Sequence, residues 1–562
     1  MSNKQILLIL PRACEKRSSA ISQAGMEHLG LGHLASYLRQ FGYSVEIVNM
    51  ELLHYIETTD VNSEYNSLEK DTAYILNKIK QLNPLIVGIS ATMFTINESL
   101  AFCNSIKNST PDIYTLLGGT HVSVCPDEIM DKEKNVDFII VGDGEISLLS
   151  LVKELNSTKQ FEIVSGLAYR VKNGDVKINA HIPIDNDTID SLPIPARDDL
   201  IFSQKYKSIT EARITTSRGC EARCTFCCDP AINPQRKWSG RNAKLVVDEM
   251  EYLNKQFGIN YFWINDDNFI PPTNAGRERA EAIARDIISR SLGIHYRALF
   301  RADTFHENDE LLPLLRKSGL RIAFVGFESG SQAKLKRFCK QIKIEQYYIL
   351  VNELVKNEIG LQIGFIMFDP FSTFDDLRLD SLFLYNIQEM YLLTNSMQMM
   401  DVFPKTMVCR MMEKRGLLRN KIGYNSSYTN YDFFDTNVGN MAKMFNNAYK
   451  GEIVAIDKQL QRLKIVEFPS VINNINPNNV RTDLSVQINR IFSQINERNY
   501  KMFIKYISLF EKGIINETQF TSDLKTTTKL NYLDLNTLKR IYIFIKQTYS
   551  ESYINNQLCS IG

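Results

Sequence analysis

Charge of one sign, disulfide-forming cysteine and long apolar runs are all scarce in this chain, and each shortage excludes a class of protein. Sixty-five Lys and Arg stand against 64 Asp and Glu, leaving a formal charge of +1. The strong basic field that holds proteins non-specifically on nucleic acid is therefore missing, and no nucleic-acid partner is expected. Ten cysteines among 562 residues are far too few for a disulfide scaffold, so they are expected to be thiols or metal ligands. No stretch approaches the roughly 18 uncharged apolar residues of a membrane-spanning helix. The apolar run Ile6–Leu10 near the start is too short for the core of a secretion signal, and the chain is expected in the cytoplasm. With 16 Pro, 27 Gly and 44% hydrophobic residues it is neither fibrous nor disordered. Its length suits three or four domains, each with its own core.

What the chain has instead is alternation. The runs Ile6–Leu10, Val45–Val48, Leu85–Ser90, Tyr114–Leu117 and Phe138–Val141 are short, apolar and rich in β-branched residues, and stretches such as His33–Phe41 and Ser99–Lys107 between them carry helical periodicity. Strand and helix in alternation predict a parallel, doubly wound, Rossmann-like α/β domain over residues 1–155. In such a sheet ligands sit beyond the carboxyl ends of the strands. Gly118-Gly119-Thr120-His121 and Gly142-Asp143-Gly144-Glu145 fall at such ends. Residues 156–210 read as a connector with a small hairpin around Asn173-Gly174 and an extended Leu192-Pro-Ile-Pro-Ala-Arg197.

A second alternating series occupies residues 211–405. Its expected strands are Ala212–Thr216, Tyr261–Ile264, Ile294–Phe300, Ile322–Phe327, Gly360–Met367 and Ser396–Val402, with helices such as Ala243–Phe257 and Ile344–Lys356 between them. Six such units predict a partial (β/α)6 barrel. From 406 to 562 the composition shifts toward Asn, Tyr, Ile and Lys, and a mostly helical region is expected, broken by a loop at Val471-Ile-Asn-Asn-Ile-Asn-Pro-Asn-Asn.

The chemistry concentrates in Thr216-Ser-Arg-Gly-Cys220-Glu-Ala-Arg-Cys224-Thr-Phe-Cys227-Cys228, which follows the first strand of the second series. Cysteines spaced by four and then three residues can converge on one polynuclear site. A structural zinc site needs a fourth ligand, and the next histidine is His295. A 4Fe-4S cluster held by three thiolates leaves one iron open to another molecule. Three unrelated core thiols are the bland alternative. Cys228 adjoins a ligand and is expected to point away as a small buried hydrophobe, and Cys14, Cys103, Cys125, Cys339, Cys409 and Cys559, with no paired spacing, are read the same way.

This segment resembles the radical S-adenosylmethionine (SAM) superfamily, whose loop after the first barrel strand carries C-x3-C-x-aromatic-C, here Cys220, Cys224, Phe226 and Cys227. The resemblance implies a 4Fe-4S cluster on the three cysteines and SAM contacts at the ends of the following strands. In Asn265-Asp266-Asp267 a carboxylate would meet the SAM ammonium, although Asp and Asn also favour helix N-caps. Arg301 would pair with the SAM carboxylate through its planar fork, with an ordinary ion pair as the alternative. Glu328 and Ser329, in Gly326-Phe-Glu-Ser-Gly330, would bond the ribose, and Ile366 would touch the adenine. The family often has Gly-x-Pro-x-Glu-Thr next, and this chain departs from it with Phe368-Asp369-Pro370-Phe371-Ser372-Thr373.

Residues 5–155 resemble the cobalamin-binding domain that precedes the barrel in one large radical SAM class. The matching pieces are Leu29-Gly30-Leu31-Gly32, Val87-Gly-Ile-Ser90-Ala-Thr92, Leu117-Gly118-Gly119-Thr-His121 and Val141-Gly142-Asp-Gly-Glu145. The resemblance implies that the glycines admit the nucleotide tail, that Ser90 and Thr92 donate hydrogen bonds to it, and that the corrin faces the barrel. His121 is a cofactor contact or a satisfied structural histidine. The Asp-x-His-x-x-Gly segment that supplies a cobalt ligand elsewhere is absent, and Met26-Glu27-His28-Leu29-Gly30 is not that pattern. Cobalt is then expected to lack an imidazole below.

Together these resemblances imply a cobalamin-dependent radical SAM enzyme, with a methyltransferase acting on an unactivated carbon of a small molecule as the leading expectation. An external electron donor such as flavodoxin or ferredoxin would reduce the cluster. Cyclisation or rearrangement without methyl transfer is the alternative within the class. A methylthiotransferase would use Cys14, Cys103 and Cys125 for a further cluster, and a non-catalytic cobalamin sensor would leave SAM uncleaved.

Overall fold

Short apolar strands alternating with amphipathic helices bury both faces of a sheet when helices cover each side. The computed structural model describes residues 5–12, 27–57, 68–205, 211–235, 237–419, 422–426, 428–449, 451–472 and 478–558. Within it, β1 (Gln5–Leu10), β2 (Ser44–Asn49), β3 (Ile86–Ser90), β4 (Tyr114–Gly118) and β5 (Phe138–Ile140) run parallel. The order is β2-β1-β3-β4-β5, continued by β6 (Leu167–Arg170) and β7 (Val176–Ile178). The period of two is visible in the core. Ile6, Leu8, Leu116 and Ile140 pack with Leu31, Leu38, Leu148 and Val152 of helices Leu29–Gln40 and Glu145–Leu155. Leu7, Ile9, Val87, Leu117 and Ile139 pack on the opposite face with Ile79, Phe102 and Ile106.

The hairpin expected in the connector is present, but β6 pairs antiparallel with β5 and so completes this sheet. The domain boundary expected at residue 155 thus falls inside a sheet that runs to Ile178. An unpaired β5 edge would leave backbone donors and acceptors without partners, and the hairpin supplies them.

The second sheet begins with β8 (Glu211–Ile214), followed by a two-stranded ribbon of β9 (Ser217–Arg218) and β10 (Ser239–Gly240). It continues through β11 (Tyr261–Ile264), β12 (His295–Arg301), β13 (Leu320–Glu328) and β14 (Gly360–Phe365), in the order β14-β13-β12-β11-β8, all parallel. Helix Ala243–Phe257 shows how the connections are specified. The Asn242 side chain accepts from the Lys244 amide, Val246, Val247, Met250 and Leu253 turn inward, and Gly258 ends the helix with φ 67°. The sixth expected strand, Ser396–Val402, is reduced to one parallel bridge between Phe368 and Met399. Phe368 bonds Gln398 and Met400, but Asp369 then turns the chain by accepting from the Phe371 amide, so the partner strand stops.

Beyond the barrel the chain is helical as expected, with long helices Asn478–Glu511 and Glu517–Leu558 packed through Ile495, Leu535 and Leu538. Of the loop expected at 471–479, Val471 and Ile472 end a helix, Asn478 and Asn479 begin the next, and 473–477 lie outside the described residues. Among the described residues, no helix is long and apolar enough to cross a membrane. The parts are fastened by buried charge. Arg197 of the connector meets Glu249 at 2.5 Å and Glu27 at 2.7 Å, and Arg241 meets Glu249 at 2.5 Å.

Candidate functional site

From β9 the chain passes over the carboxyl end of the barrel, and Cys220, Cys224 and Cys227 all border one cavity of about 450 Å³. The turn is tight, with the Cys227 amide donating to the Cys224 carbonyl at 3.2 Å. Phe226 borders the same cavity and packs edge-on against Phe338, 5.2 Å between centroids. The wall opposite comes from strand ends: Asp267 after β11, Arg301 closing β12 and Glu328 closing β13. A register shift between Gly326 and Glu328, with φ 67° at Glu328, re-aims this carboxylate at the end of its strand. Lys340 holds it at 3.2 Å and donates also to the Gly326 carbonyl, while Arg301 grips Asp303 at 2.8 and 2.9 Å.

Burial pushes the Cys220 and Cys224 thiols above their ordinary range, and Arg301 opposes the push on both, joined by Lys340 at Cys224. Among the described residues no three Cys, His, Asp or Glu side chains meet as a mononuclear metal site requires. The three thiols border an open space instead of converging on a point, and three soft donors in that arrangement suit an iron–sulfur cluster with one iron left open.

Three residues expected to touch SAM stand elsewhere. Asp266 is buried, and its carboxylate is filled by the Thr216 amide at 2.7 Å, the Thr216 hydroxyl at 2.5 Å and the Ser217 hydroxyl at 2.7 Å. It ties β11 to the start of the cysteine loop. Ser329 is fully buried and donates to Asp380 at 2.5 Å, within a network in which Lys334 meets the same carboxylate at 2.8 Å. Ile366 packs against the barrel core, its amide donating to the Glu328 carbonyl and its own carbonyl accepting from Lys334. Cys228, expected to turn away, borders the cavity beside Cys227 while also touching the first domain's core. Cys103, Cys125 and Cys409 are buried, and Cys339 is exposed. Cys14 and Cys559 lie outside the described residues.

A second cavity, of about 380 Å³, lies at the carboxyl ends of the first sheet. Ser90, Thr92, Gly118, Gly119, Gly142 and Glu145 all border it. At Gly119, φ is 111° and a Cβ would lie 2.7 Å from the Ala91 carbonyl oxygen, so only glycine fits this turn. Among the described residues a Cβ at Gly118 would meet nothing within 4 Å, which suits the approach of a ligand to that strand end. His33, buried on helix Leu29–Gln40, also borders the cavity, and among the described residues neither of its ring nitrogens has a partner. A bound ligand rich in amides and oxygens is what would satisfy such a group. The residues present therefore fit cobalamin. The two cavities share Gly119, Thr120, Gly142 and Asp143.

His121 borders neither cavity and takes the structural alternative. It is buried, with Nε2 donating to the Tyr424 carbonyl at 2.6 Å and Nδ1 accepting from the Tyr428 hydroxyl at 2.7 Å.

Sequence reasoning missed Arg218, Lys340 and His28. Arg218 reaches from β9 to Glu145 at 2.5 Å and Asp143 at 3.1 Å, joining the cysteine loop to the first sheet. Its position two residues before Cys220, in the segment that follows the first strand of the second series, is the available signal. Lys340, nearly buried beside Glu328, and His28, bordering the cavity of the first sheet, carry no motif.

Two cavities share a wall, one bordered by three thiols and the other by a sheet end, as an enzyme that brings several cofactors together requires. Residues 22–152 match the family described as B12 binding domain, and residues 214–380 match the radical SAM superfamily. The chain belongs with the cobalamin-dependent radical SAM enzymes, and its cofactors are cobalamin, SAM and a 4Fe-4S cluster. It is similar to the uncharacterized methyltransferase PH0819 of Pyrococcus horikoshii, 27% identical over 67% of this chain and 77% of that protein. It is also similar to the anaerobic magnesium-protoporphyrin IX monomethyl ester cyclase of Rubrivivax gelatinosus, 29% identical over 60% of this chain but only 58% of the cyclase. In fold it resembles the cobalamin-dependent S-adenosylmethionine radical enzyme OxsB solved with aqua-cobalamin, with a TM-score of 0.68 at 20% identity over 95% of this chain and 84% of OxsB.

Proposed function

We propose that the chain is a methyltransferase that modifies an unactivated carbon of a small-molecule substrate. The observation that carries this reading is the make-up of one cavity, which is bordered by the three thiols, by Asp267, Arg301 and Glu328, and by Gly119, Thr120, Gly142 and Asp143 of the first sheet. Residues suited to all three cofactors thus face one space, as loss of a hydrogen atom and gain of a methyl group at a single carbon demands. When bound, the cofactors supply electron transfer, sulfonium cleavage and a methyl carrier, which no side chain offers.

The chain's own residues bind, orient and shield. Cys220, Cys224 and Cys227 hold the cluster as thiolates. The Asp267 carboxylate receives the SAM ammonium, and Arg301, whose Nε and Nη2 are held by Asp303, offers its remaining Nη1 to the SAM carboxylate. Glu328, steadied by Lys340, accepts from the ribose hydroxyls. Phe226 keeps water from the apolar side of the cavity. Ser90, Thr92, Gly118, Gly119, Gly142 and Glu145 receive cobalamin in the adjoining cavity. An external one-electron donor of the flavodoxin or ferredoxin kind is the partner, and nucleic acid is not. The unpaired buried thiols Cys103, Cys125 and Cys409 suit a reducing compartment, which supports the cytoplasm as its place of action.

The methyltransferase name of the Pyrococcus horikoshii relative supports this reading. The cyclase name of the Rubrivivax gelatinosus relative supports a second one, ring formation without methyl transfer. The test supplies anaerobically reconstituted, reduced holoenzyme with methyl-labelled SAM and a metabolite extract. Labelled product with S-adenosylhomocysteine and 5'-deoxyadenosine in comparable amounts is expected. Deoxyadenosine without labelled product or homocysteine derivative would replace the first reading by the second, and intact SAM would sink both.

A further inference from the structure

His28 caps helix Leu29–Gln40 in an unusual way. Its Nδ1 accepts the Leu31 amide hydrogen at 3.1 Å, so the lone pair on that nitrogen is occupied by the helix. A neutral imidazole with an accepting Nδ1 carries its proton on Nε2. Burial and the neighbouring Arg213 lower the pKa of this ring to about 4, which keeps it neutral in the physiological range. The His28 backbone is anchored by its amide, which donates to Asp199 at 3.0 Å, and glycine at position 30 leaves room for the ring, since a Cβ there would lie only 3.0 Å from the ring's Cε1. Nε2–H makes a long hydrogen bond of 3.4 Å with the Ser90 hydroxyl, on the border of the cavity at the sheet end.

Which part of cobalamin this cavity receives follows from its relation to its neighbour. The cysteine loop borders the larger cavity, and the shared wall is Gly119, Thr120, Gly142 and Asp143. A corrin that presents one face to the barrel would be held by the residues of that wall. The smaller cavity is also bordered by Leu8, Gly88, Leu116 and Leu148. His28 and Ser90 border it and not the larger cavity. Its volume, about 380 Å³, sits at the low end of small-ligand pockets and suits an appended group. The group appended to a corrin is a nucleotide, whose phosphate and ribose oxygens are acceptors.

The geometry points to His28 as a residue that binds the nucleotide tail of cobalamin, donating from Nε2 to an acceptor oxygen beside Ser90, and not as a ligand to cobalt. This inference rests on the cobalamin reading above. The helix cap and the ligand contact use the two nitrogens of one ring, so the position of the donor is set by the start of the helix.

The test separates cap from donor. His28→Asn keeps a side-chain oxygen for the Leu31 amide, since Asn is a favoured N-cap, but lacks the reach to the Ser90 side of the cavity. Full-length protein with its cluster reconstituted is titrated with hydroxocobalamin and with cobinamide, which has the corrin without the nucleotide. His28→Asn is expected to weaken cobalamin binding roughly tenfold, the loss of about one good hydrogen bond, while cobinamide binding stays as in the wild type. Cobinamide binding also reports that the variant is folded. Equal losses for both ligands, or no loss for either, would overturn the inference. In the cob(II)alamin-loaded wild type, electron paramagnetic resonance is expected to show no nitrogen splitting from the protein. A three-line splitting that disappears in His28→Asn would make His28 a cobalt ligand and overturn it as well. A wild type that binds neither corrinoid would instead sink the cobalamin reading itself.

Discussion

The Tyr428 hydroxyl lies 2.7 Å from Nδ1 of His121, 307 residues earlier in the chain, while Nε2 of the same ring donates to the Tyr424 carbonyl at 2.6 Å. The ring is neutral, its pKa lowered by burial, and both nitrogens are used. Tyr428→Phe leaves Nδ1 buried without a donor and is expected to cost about 1–3 kcal/mol. Urea unfolding checks this, with His121→Ala expected to lose at least as much because it abandons two partners. A midpoint unchanged in both variants would refute the latch.

Replacing Cys220, Cys224 and Cys227 together by Ser is expected to remove about four irons per chain and the associated visible absorption. Cys409→Ser, made in a buried thiol that borders neither cavity, should leave the iron content intact. Iron analysis after anaerobic reconstitution reads the difference. Cys228→Ser is expected to retain the cluster, and loss of iron there would change the ligand set.

Arg218 pairs with Glu145 at 2.5 Å and reaches Asp143 at 3.1 Å. Arg218→Leu removes the guanidinium from the buried Glu145 carboxylate and is expected to destabilise by about 3–5 kcal/mol. Arg218→Lys should recover part of that, because it restores charge but not the two-pronged geometry. Thermal unfolding of the three proteins tests the order.

Asp457 is buried and accepts from the Thr394 amide at 2.7 Å, yet burial raises its pKa to about 7. The folded protein then holds this proton at pH values where the unfolded chain, with an ordinary Asp near 4, has released it. Bound protons favour the folded state at low pH, so this group's contribution is complete below about pH 4 and declines as pH rises toward 7, by at most about 1.4 kcal/mol per pH unit. Asp457→Asn keeps an acceptor for Thr394 and removes the titration. Stability measured in urea at several pH values should fall less steeply between pH 4 and 7 in the variant, and parallel curves would refute the assignment.

The strands of both sheets were legible because each is a short apolar run bounded by turns, and helices Ala243–Phe257 and Ile344–Lys356 begin and end where their periodicity does. The cysteine loop was legible because its spacing is local. The sixth barrel strand was not, because its length depends on how far the partner at Phe368 continues, and Asp369 ends it. Asp266 and Ser329 show the same limit at the site. Their acidic and hydroxyl character suited a ligand, but the groups that satisfy them, Thr216 and Asp380, stand 50 and 51 residues away. His28 carries no motif, because the contacts that place it come from a helix start and from Ser90, 62 residues on.

The ribbon that launches the cysteine loop carries a guanidinium whose countercharges belong to the preceding domain. The halves of this enzyme are consequently poor candidates for free exchange. A chimera that takes its corrinoid-binding front from a cousin, while keeping this barrel, inherits Arg218 without a guarantee of Asp143 and Glu145. Transplanting those three positions as a set is the minimal repair for anyone building hybrid catalysts from such parts.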